Sequence, residues 1–375
     1  MVKVLIVGLS EEVGGIENLF YNLLKRPIKD CSFDFLAFGH KCAYEDFFRD
    51  IGSKIFYMPT RKSCPFIFNS LVKKFLINHN EYDYIWFNTA STSMYQFQYF
   101  GKKYTHSKII THSHGTSIDR NNGKFLFAVN KVLEIINKKK VVKNTDLFLC
   151  CSLAAGKALY GDKYTDKLIM VKNGIDVRKF KFSSINRRKK RFELQIDDTT
   201  TVFTLIGRLS PQKNPLKAME IYAEYYNRNN NSILLVVGDG DLKQDVINYI
   251  NNNNLNSCVK MLGFRDDVSE LMSCADILLM PSLFEGLPLT AIEAECNGLK
   301  CYLSENITTE TKIIPQCYFV SIKDSSEEWV RRILESDYLN VDRENCYKTV
   351  LKNQYSIDDT REYVRKILIG EISNG

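Results

Sequence analysis

Four groups of residues in this chain combine side chains and backbone geometry that could bind an anionic or hydroxyl-rich ligand. Each directly follows a short apolar run, where a buried parallel β-strand is predicted to end. The groups are Gly14 with Gly15, His112 with His114, the segment 207–214 and the segment 282–293. Because ligands of open α/β sheets bind outside the carboxyl ends of the strands, these groups are the candidates for a functional site.

Gly14 and Gly15 separate the first apolar run from a helical pattern that begins near Ile16. Glycines there let backbone N–H groups approach an anion, and the positive end of the helix dipole favours negative charge. The alternative is a tight strand-to-helix turn without a ligand. The GxGxxG fingerprint is absent, since Gly8 stands alone before Leu9, which argues against a dinucleotide site of that type.

Arg208 and Lys213 lie five residues apart in a predicted strand-to-helix loop that begins at Gly207. An arginine offers a planar fork of donors and a lysine a point charge, so the pair would suit a diphosphate. The alternative is two solvated loop cations.

Glu285 and Glu293 lie eight residues apart, the first in a glycine-containing loop and the second on the following helix. A loop carboxylate can accept hydrogen bonds from sugar hydroxyls, and a carboxylate in the first turns of a helix can bind a ribose. Backbone N–H groups at the helix start, between the two, could hold a phosphate.

His112 and His114 follow a third apolar run and could donate a hydrogen bond or accept a proton. An HxH pair is also a possible edge of a metal site. No carboxylate or cysteine stands near it at ligand spacing, so no metal is predicted.

The elements that must position these residues alternate between strand-like and helical patterns. Strands are predicted over residues 3–8, 32–38, 54–58, 84–88, 108–112, 147–151 and 168–172, then 201–206, 233–237, 259–262, 277–280 and 300–303. Such alternation is typical of an α/β protein with doubly wound parallel sheets. We expect two Rossmann-like domains facing a central cleft, residues 1–175 and 176–355. Residues 356–375 are expected to form a C-terminal helix that returns to the first domain.

Length and composition exclude several classes of protein. The chain has 375 residues, 45% of them hydrophobic, 25% charged, and a net charge of +7. This is the balance of a globular protein, and the charge is too mild for a nucleic-acid-binding surface. No apolar run approaches the roughly 18 residues of a membrane span, and no secretory signal is predicted. The eleven cysteines follow no disulfide or zinc pattern, so we expect reduced thiols in the cytoplasm.

Two basic segments leave alternatives open. The run from Arg187 to Arg191 is either a solvated helix start or a site for an anionic ligand. The segment from Lys124 to Lys143 interleaves lysines with apolar residues. It is either a helix that contacts a membrane surface or one whose apolar face packs within its own domain.

A resemblance joins these motifs. GGIE, HSHG, NGID, GRLSPQKN, GDGDL, LGFRDDV and FEGLPLTAIEAE occur in an order and spacing similar to those of the retaining glycosyltransferases of family 4, which have the GT-B fold. The resemblance covers nearly the whole chain and is strongest from Asn173 to Glu295. The stretch 32–107, where an acceptor would bind, matches no usable motif.

The resemblance implies a role for each motif residue. Arg208 and Lys213 would bind the donor's diphosphate and stabilise the leaving group, Glu285 would contact the donor sugar, and His114 would lie beside its anomeric region. His112 is the alternative histidine, and Glu293 would hold the ribose. The implied donor-binding residues are Gly14, Gly15, Gly207, Gly238, Phe264, Arg265, Gly286, Leu287, Pro288, Leu289, Thr290 and Glu293.

The implied activity is a metal-independent, cofactor-free transfer of a sugar, with retention, from a nucleotide diphosphate, UDP being the commonest in the family. The acceptor would be a saccharide, free or linked to a polyprenyl diphosphate, in bacterial capsule, exopolysaccharide or lipopolysaccharide assembly. The protein would be cytoplasmic, with peripheral contact to the anionic inner membrane surface. The alternatives are a non-catalytic partner subunit with the same fold and a UDP-sugar 2-epimerase. The intact set Arg208, Lys213, Glu285 and Glu293 favours the transferase.

Overall fold

The computed structural model describes residues 1–115, 135–336 and 342–373. The chain divides into two compact units. The first comprises Met1–Gly174 together with Ile357–Gly375, and the second comprises Ile175–Ser356. The domain boundaries expected from the sequence lie after residues 175 and 355.

The first unit contains, among the described residues, a parallel sheet of seven strands. They are β1 (Val2–Leu9), β2 (Cys31–Phe38), β3 (Ile55–Met58), β4 (Tyr84–Thr89), β5 (Lys108–Ser113), β6 (Leu147–Cys150) and β7 (Leu168–Met170). The spatial order is β3-β2-β1-β4-β5-β6-β7. The helices between them are α1 (Gly15–Leu24), α2 (Glu45–Asp50), α3 (Phe68–Asn78), α4 (Gln96–Tyr104), α5 (residues 135–143) and α6 (Leu153–Tyr160). A short 3₁₀ helix, Asp162–Lys167, precedes β7.

The second unit contains a parallel sheet of six strands in its described part. They are β8 (Thr201–Ile206), β9 (Ser232–Val237), β10 (Val259–Gly263), β11 (Ile277–Met280), β12 (Lys300–Ser304) and β13 (Cys317–Val320), in the order β10-β9-β8-β11-β12-β13. The helices are α7 (Val177–Phe180), α8 (Ser184–Glu193), α9 (Pro215–Arg228), α10 (Lys243–Asn252), α11 (Val268–Cys274), α12 (Leu289–Cys296), α13 (Ser326–Glu335) and α14 (Arg343–Lys352). A 3₁₀ turn, Thr309–Thr311, lies between β12 and β13.

The strand order of each sheet reverses at one place. In the first unit the reversal lies between β1 and β4, and in the second between β8 and β11. Such reversals open a crevice at the carboxyl ends of the two strands, because the connections leave in opposite directions. Three of the four candidate groups follow one of these four strands. In the fourth group, His112 lies in the neighbouring β5 and His114 directly follows that strand.

The predicted doubly wound α/β fold is confirmed in both units. The ends of the predicted strands agree with the structure to within two residues, and β8 and β11 match fully. The sequence prediction missed β13. Its four residues are bounded by polar positions, and only Cys317 and Val320 are buried, so its hydrophobic signal is weak.

Both faces of the first sheet are covered. Val4 and Ile6 of β1 belong to one apolar cluster, and Leu5 and Val7 belong to another on the opposite face. This alternation explains why β1 is a continuous apolar run.

The last helix, α15 (Ile357–Leu368), completes the first of these clusters with Val364 and Ile367. The Thr360 hydroxyl donates to the Lys172 carbonyl at 2.9 Å, and Arg361 Nε donates to the Leu23 carbonyl at 2.9 Å. The C-terminal helix therefore belongs to the core of the first unit.

The basic run from Arg187 to Arg191 is solvated only in part, since Arg188 and Lys189 are exposed whereas the two residues that follow are buried. It lies inside α8, where Lys190 is 5% and Arg191 1% exposed. Lys190 pairs with Asp267, and Arg191 pairs with Asp276 at 2.8 Å and donates to four backbone carbonyls. The run holds α8 against α11 and the start of β11.

Within the parts of the chain that the structure describes, no helix combines the length and hydrophobicity that crossing a bilayer requires.

Candidate active site

In the second unit, the loops after β8 and β11 are bonded to each other at the point where the sheet order reverses. Leu283 N donates to the Gln212 carbonyl at 2.8 Å, and Asn214 Nδ2 donates to the Pro281 carbonyl at 3.2 Å. Gln212 Nε2 donates to the Phe284 carbonyl at 3.1 Å. Two motifs about seventy residues apart in the sequence thus form one continuous structure.

Lys213 and Glu285, two of the predicted site residues, are direct partners. Lys213 Nζ lies 2.6 Å from Glu285 Oε1, and Gln212 Nε2 lies 3.4 Å from Glu285 Oε2. Glu285 is 8% exposed, whereas the Lys213 side chain is 22% exposed. The pairing neutralises a buried carboxylate and restrains the ammonium group at the sheet edge.

Arg208 borders the same small pocket as Lys213. The pocket lies at the end of β8 and is also lined by Gly207, Leu209 and Ser282. With Arg208 and Lys213 positive and Glu285 negative, the three side chains carry a net charge of +1. The site is therefore suited to an anion.

Ser282 begins one of the four candidate segments, although the sequence analysis gave it no role of its own. Its side chain is fully buried and lines the pocket, and within the described part of the chain its hydroxyl oxygen has no hydrogen-bond partner. Buried hydroxyls are rarely unsatisfied, so this one is available to a ligand or a water molecule. The sequence signal for this residue is its position just beyond β11, separated from the strand by Pro281.

The turn after β9 packs closely against the backbone of the loop that carries Arg208. Gly238 has φ +132°, and a Cβ there would lie 2.0 Å from the Gly207 carbonyl oxygen. A Cβ at Gly240 would lie 2.6 Å from the Leu209 carbonyl oxygen. Leu209 N in turn donates to the Asp239 carbonyl at 2.9 Å. Only glycine permits this approach, so Gly238 acts on the site through the backbone of the neighbouring loop.

Phe264 and Arg265, predicted to flank the base, follow β10. The Phe264 ring is 79% exposed, and Arg265 forms a two-pronged contact with Asp267 at 2.8 and 2.7 Å. Gly238 N donates to the Gly263 carbonyl at 2.8 Å, which joins this loop to the glycine turn. The Phe264 ring therefore faces solvent, whereas the Arg265 side chain is held by Asp267 of the same loop.

Residues 286–290 lead into α12, whose first turn begins at Leu289. Leu287 and Pro288 are buried, whereas Gly286 and Thr290 are partly exposed. The helix therefore starts at the carboxyl edge of the sheet, with its N-terminal N–H groups beside the Glu285 loop.

Glu293 lies on α12 and is half-buried. Burial raises the pKa of its carboxyl group to about 7, an effect that the nearby Lys179 partly opposes. Near neutral pH this group can both donate and accept a hydrogen bond, which a pair of vicinal hydroxyls requires.

Glu295, two residues further, is a second buried carboxyl group that the sequence analysis did not single out. One oxygen, Oε2, accepts the N–H groups of Ile313 and Ile314, both at 2.7 Å. Burial raises its pKa to about 7, although these hydrogen bonds act in the opposite direction. Glu295 thus holds the segment that leads into β13.

Because the pKa of Glu295 is raised, we expect the free energy of unfolding to depend on pH. Between about pH 4.3, the ordinary Glu value, and pH 7, the folded chain binds more protons at this site than the unfolded chain, so stability falls as pH rises. Glu295→Gln keeps an acceptor oxygen for both N–H groups but does not titrate. In the wild type, the free energy of unfolding should fall between pH 5 and 7.5. In this variant the fall should be smaller by up to about 3 kcal/mol. Denaturant titrations at a series of pH values measure the slope, with the exposed Glu344→Gln as control; an unchanged slope in Glu295→Gln would contradict the assignment.

In the first unit, the loop between β1 and α1 is folded around a carboxylate of its own. Glu17 is 4% exposed, and it accepts the N–H groups of Ser10 and Gly14 at 2.9 and 3.0 Å together with the Ser10 hydroxyl at 2.9 Å. Gly14 caps α1, which begins at Gly15. Two N–H groups of the loop predicted to bind phosphate are therefore already engaged, beside a negative charge.

The two histidines that the sequence left as alternatives differ in burial and in hydrogen bonding. Their rings are in contact, with centroids 3.9 Å apart and planes tilted by 46°. His112 has no exposed surface, and neither of its ring nitrogens has a hydrogen-bond partner among the described residues. His114 is partly exposed, and its Nε2 lies 2.9 Å from Asn88 Oδ1. Burial lowers the pKa of His112 well below its usual range and that of His114 to about 3, so both rings are neutral. Of the two, only His114 can reach a ligand in this conformation.

Among residues 1–115, 135–336 and 342–373, no three His, Cys, Asp or Glu side chains are grouped so that they could hold a metal ion.

The chain consists of two doubly wound units, and cationic and carboxylate residues lie where the strand order of the second sheet reverses. Comparison with known proteins shows which family of proteins has this arrangement. Residues 186–339 match the family described as "Glycosyl transferases group 1". Over 275 residues the chain is 30% identical to the UDP-Gal:alpha-D-GlcNAc-diphosphoundecaprenol alpha-1,3-galactosyltransferase of Escherichia coli, covering 70% of this chain and 68% of that protein. It is 25% identical over 337 residues to the capsular polysaccharide biosynthesis glycosyltransferase CapH of Staphylococcus aureus, covering 88% and 86%.

Among solved structures, the chain resembles Anabaena Alr3699/HepE in complex with UDP, with a TM-score of 0.79 and 18% identity over 99% of this chain and 100% of that one. The chain belongs to the glycosyl transferases group 1 family, and its two units are those of the GT-B fold.

Proposed function

We propose that the protein transfers a sugar, with retention at the anomeric carbon, from a UDP-sugar to a saccharide linked to a polyprenyl diphosphate. The reaction would serve the assembly of a bacterial surface polysaccharide. The observation that carries this proposal is the placement of Arg208 and Lys213 around one pocket, with Lys213 held 2.6 Å from Glu285.

These residues are suited to the departure of a nucleoside diphosphate. Negative charge develops on the diphosphate as the bond to the sugar breaks, and fixed cations stabilise that charge without reorganisation. Glu285 would accept hydrogen bonds from the sugar, and Glu293 would contact the ribose. The four side chains lie in one unit, and Lys213 reaches Glu285 because β8 and β11 are adjacent in the sheet.

The substrate classes rest on the relatives. The Escherichia coli protein is named for UDP-Gal and for an acceptor on diphosphoundecaprenol, and the Staphylococcus aureus protein for capsular polysaccharide. We extend both to this chain as proposals, and retention follows from the resemblance to family 4.

The proposal is tested by ligand binding and then by turnover. Ligands that bind the native state raise the unfolding midpoint. We expect UDP, UDP-galactose or UDP-glucose to raise it, and ADP and GDP to have smaller effects. The enzyme should then release UDP only when a GlcNAc-diphospholipid or a related acceptor is present, and NMR of the product should show the donor's anomeric configuration. No midpoint shift with any UDP compound would contradict a UDP-sugar donor, whereas acceptor-independent formation of a 2-epimer would favour the epimerase.

Metal independence makes a separate prediction. Because Arg208 and Lys213 supply the positive charge that a divalent ion provides in other transferases, initial rates in excess EDTA should equal those with Mg²⁺ or Mn²⁺. The assay compares initial rates of UDP release with each. Complete loss of activity on chelation, with recovery on adding Mn²⁺, would show that the cationic pair is not sufficient.

A lipid-linked acceptor implies that the enzyme meets a membrane, and we propose that α5 contributes to this contact. Part of the basic segment 124–143, residues 124–134, lies outside the described residues. In the described part, Val141 and Val142 are buried, so the packing alternative holds for them. The exposed residues are Ile135, Ile136, Lys139, Lys140 and Lys143. Exposed apolar and basic side chains on one helix are typical of peripheral contact with anionic lipid.

Replacing Lys139, Lys140 and Lys143 by Glu should abolish co-sedimentation with phosphatidylglycerol-rich vesicles. Each basic residue near such a surface contributes about 1 kcal/mol, and the effect should weaken with salt. Lys138 is left in place because its Nζ donates to the Ala158 carbonyl.

The matched control makes the same charge change in the second unit, at the exposed Lys323, Lys348 and Lys352. Donor binding should be unchanged in both triple variants. Wild-type protein that does not sediment with anionic vesicles at low salt would contradict the membrane contact.

A further inference from the structure

We propose that Asn88 is a positioning residue that fixes the tautomer of His114, so that Nε2 carries the proton and Nδ1 is left as a hydrogen-bond acceptor. The inference about the tautomer rests on the geometry of the first unit alone. Its meaning for catalysis rests on the proposed function, in which His114 lies beside the donor sugar.

Asn88 is the penultimate residue of β4, which lies next to β1 where the order of the first sheet reverses, and it is 3% exposed. Its Nδ2 group lies 3.2 Å from the Val7 carbonyl oxygen and 3.3 Å from the Trp86 carbonyl oxygen. Backbone carbonyls only accept hydrogen bonds. The amide must therefore present its NH₂ group to both of them, since the flipped orientation would place an oxygen against two oxygens.

This orientation determines the protonation of His114. Asn88 Oδ1 lies 2.9 Å from His114 Nε2 and can only accept. A neutral imidazole carries one N–H, and a hydrogen bond at this distance requires it on Nε2. Nδ1 then has a lone pair.

The surroundings restrain both partners. Gly8 lies so close to β4 that a Cβ there would be 2.6 Å from the Asn88 carbonyl oxygen. His114 N donates to the Thr89 carbonyl at 3.0 Å, and the His112 ring lies against the His114 ring in a tilted contact. The backbone and the ring of His114 are thus both restrained where Nε2 contacts Asn88.

The tautomer restricts what His114 can contact. An acceptor nitrogen matches a hydroxyl group of the sugar, which can donate, and it repels the oxygens of the diphosphate. A neutral ring with its only N–H engaged by Asn88 also has no proton to give to the leaving group. His114 would therefore recognise the sugar and would not serve as a general acid.

The first test measures the tautomer directly. Long-range ¹H–¹⁵N correlation spectra of the full chain report which imidazole nitrogen is protonated, and the chain has five histidines, so His114→Gln identifies the signals. We expect Nε2 protonated in the wild type and a mixture of tautomers in Asn88→Ala. Thr111→Val, a buried polar position on β5, controls for a general disturbance of the sheet. A wild type with Nδ1 protonated, or an unchanged tautomer in Asn88→Ala, would overturn the inference.

The second readout is turnover with UDP-galactose as the probe. Asn88→Ala should lower kcat about tenfold or more, because a histidine in the wrong tautomer is misaligned for its partner. UDP affinity should change little. If the tautomer responds as expected while kcat does not, the proposed role of His114 fails and the tautomer assignment stands.

Discussion

Lys213→Ala should lower the rate of sugar transfer by about 100-fold or more, as the removal of one preorganised donor to a developing negative charge does in other enzymes. Arg208→Ala should have an effect of similar size, since both side chains border the pocket at the end of β8. Steady-state kinetics of UDP release measure kcat and KM for each variant.

The Lys213 experiment needs a second variant, because the substitution leaves the buried Glu285 carboxylate without its cation. Lys213→Ala combined with Glu285→Gln removes both charges and should recover stability, but not activity. Lys157→Ala, which removes a lysine 3.8 Å from Asp162 in the first unit, is the control for loss of a positive charge. Rates within a few-fold of wild type for Lys213→Ala and Arg208→Ala would contradict the assignment of the diphosphate site.

Arg191→Met should destabilise the second unit by about 3 kcal/mol, because removing one member of a buried ion pair leaves its partner charge uncompensated. Arg191 is 1% exposed and pairs with Asp276, which also accepts the Val202 N–H at 2.9 Å. Arg187 lies 2.8 Å from the same carboxylate and limits the loss. Arg188→Met is the matched control, since Arg188 is exposed on the same helix.

The chain provides a probe for this measurement. Its two tryptophans are Trp86 in the first unit and Trp329 in the second. In a Trp86→Phe background, fluorescence during denaturant titration reports the second unit alone, which avoids treating a two-unit chain as one transition. Equal midpoints for Arg191→Met and Arg188→Met would show that the buried pair does not contribute to stability.

The fold could be predicted from the sequence because parallel strands covered on both faces are continuous apolar runs. Residues 201–206 and 277–280 carry this signal clearly, and their bounds were predicted without error. β13 carries it weakly and was missed.

The contacts within the site could be predicted only in part. The sequence identified Lys213 and Glu285 separately. Their pairing depends on the adjacency of β8 and β11, and local hydrophobic patterns do not predict the order of strands in a sheet. The burial of Arg191 was unpredictable for a similar reason, since its partner Asp276 lies 85 residues away. Asn88 was overlooked because an amide at a strand end has no distinctive sequence signal.

The position of α15 has a consequence for how the chain folds as it is synthesised. Val4 and Phe20 share an apolar cluster with Val364 and Ile367, so the first unit closes this side of its sheet only after the ribosome has made the C-terminal helix. The second unit, Ile175–Ser356, is contiguous and needs no later segment. Domains usually fold in the order of their synthesis. Here the unit that is made first is completed last, and its nascent form exposes an apolar surface until residue 368 emerges.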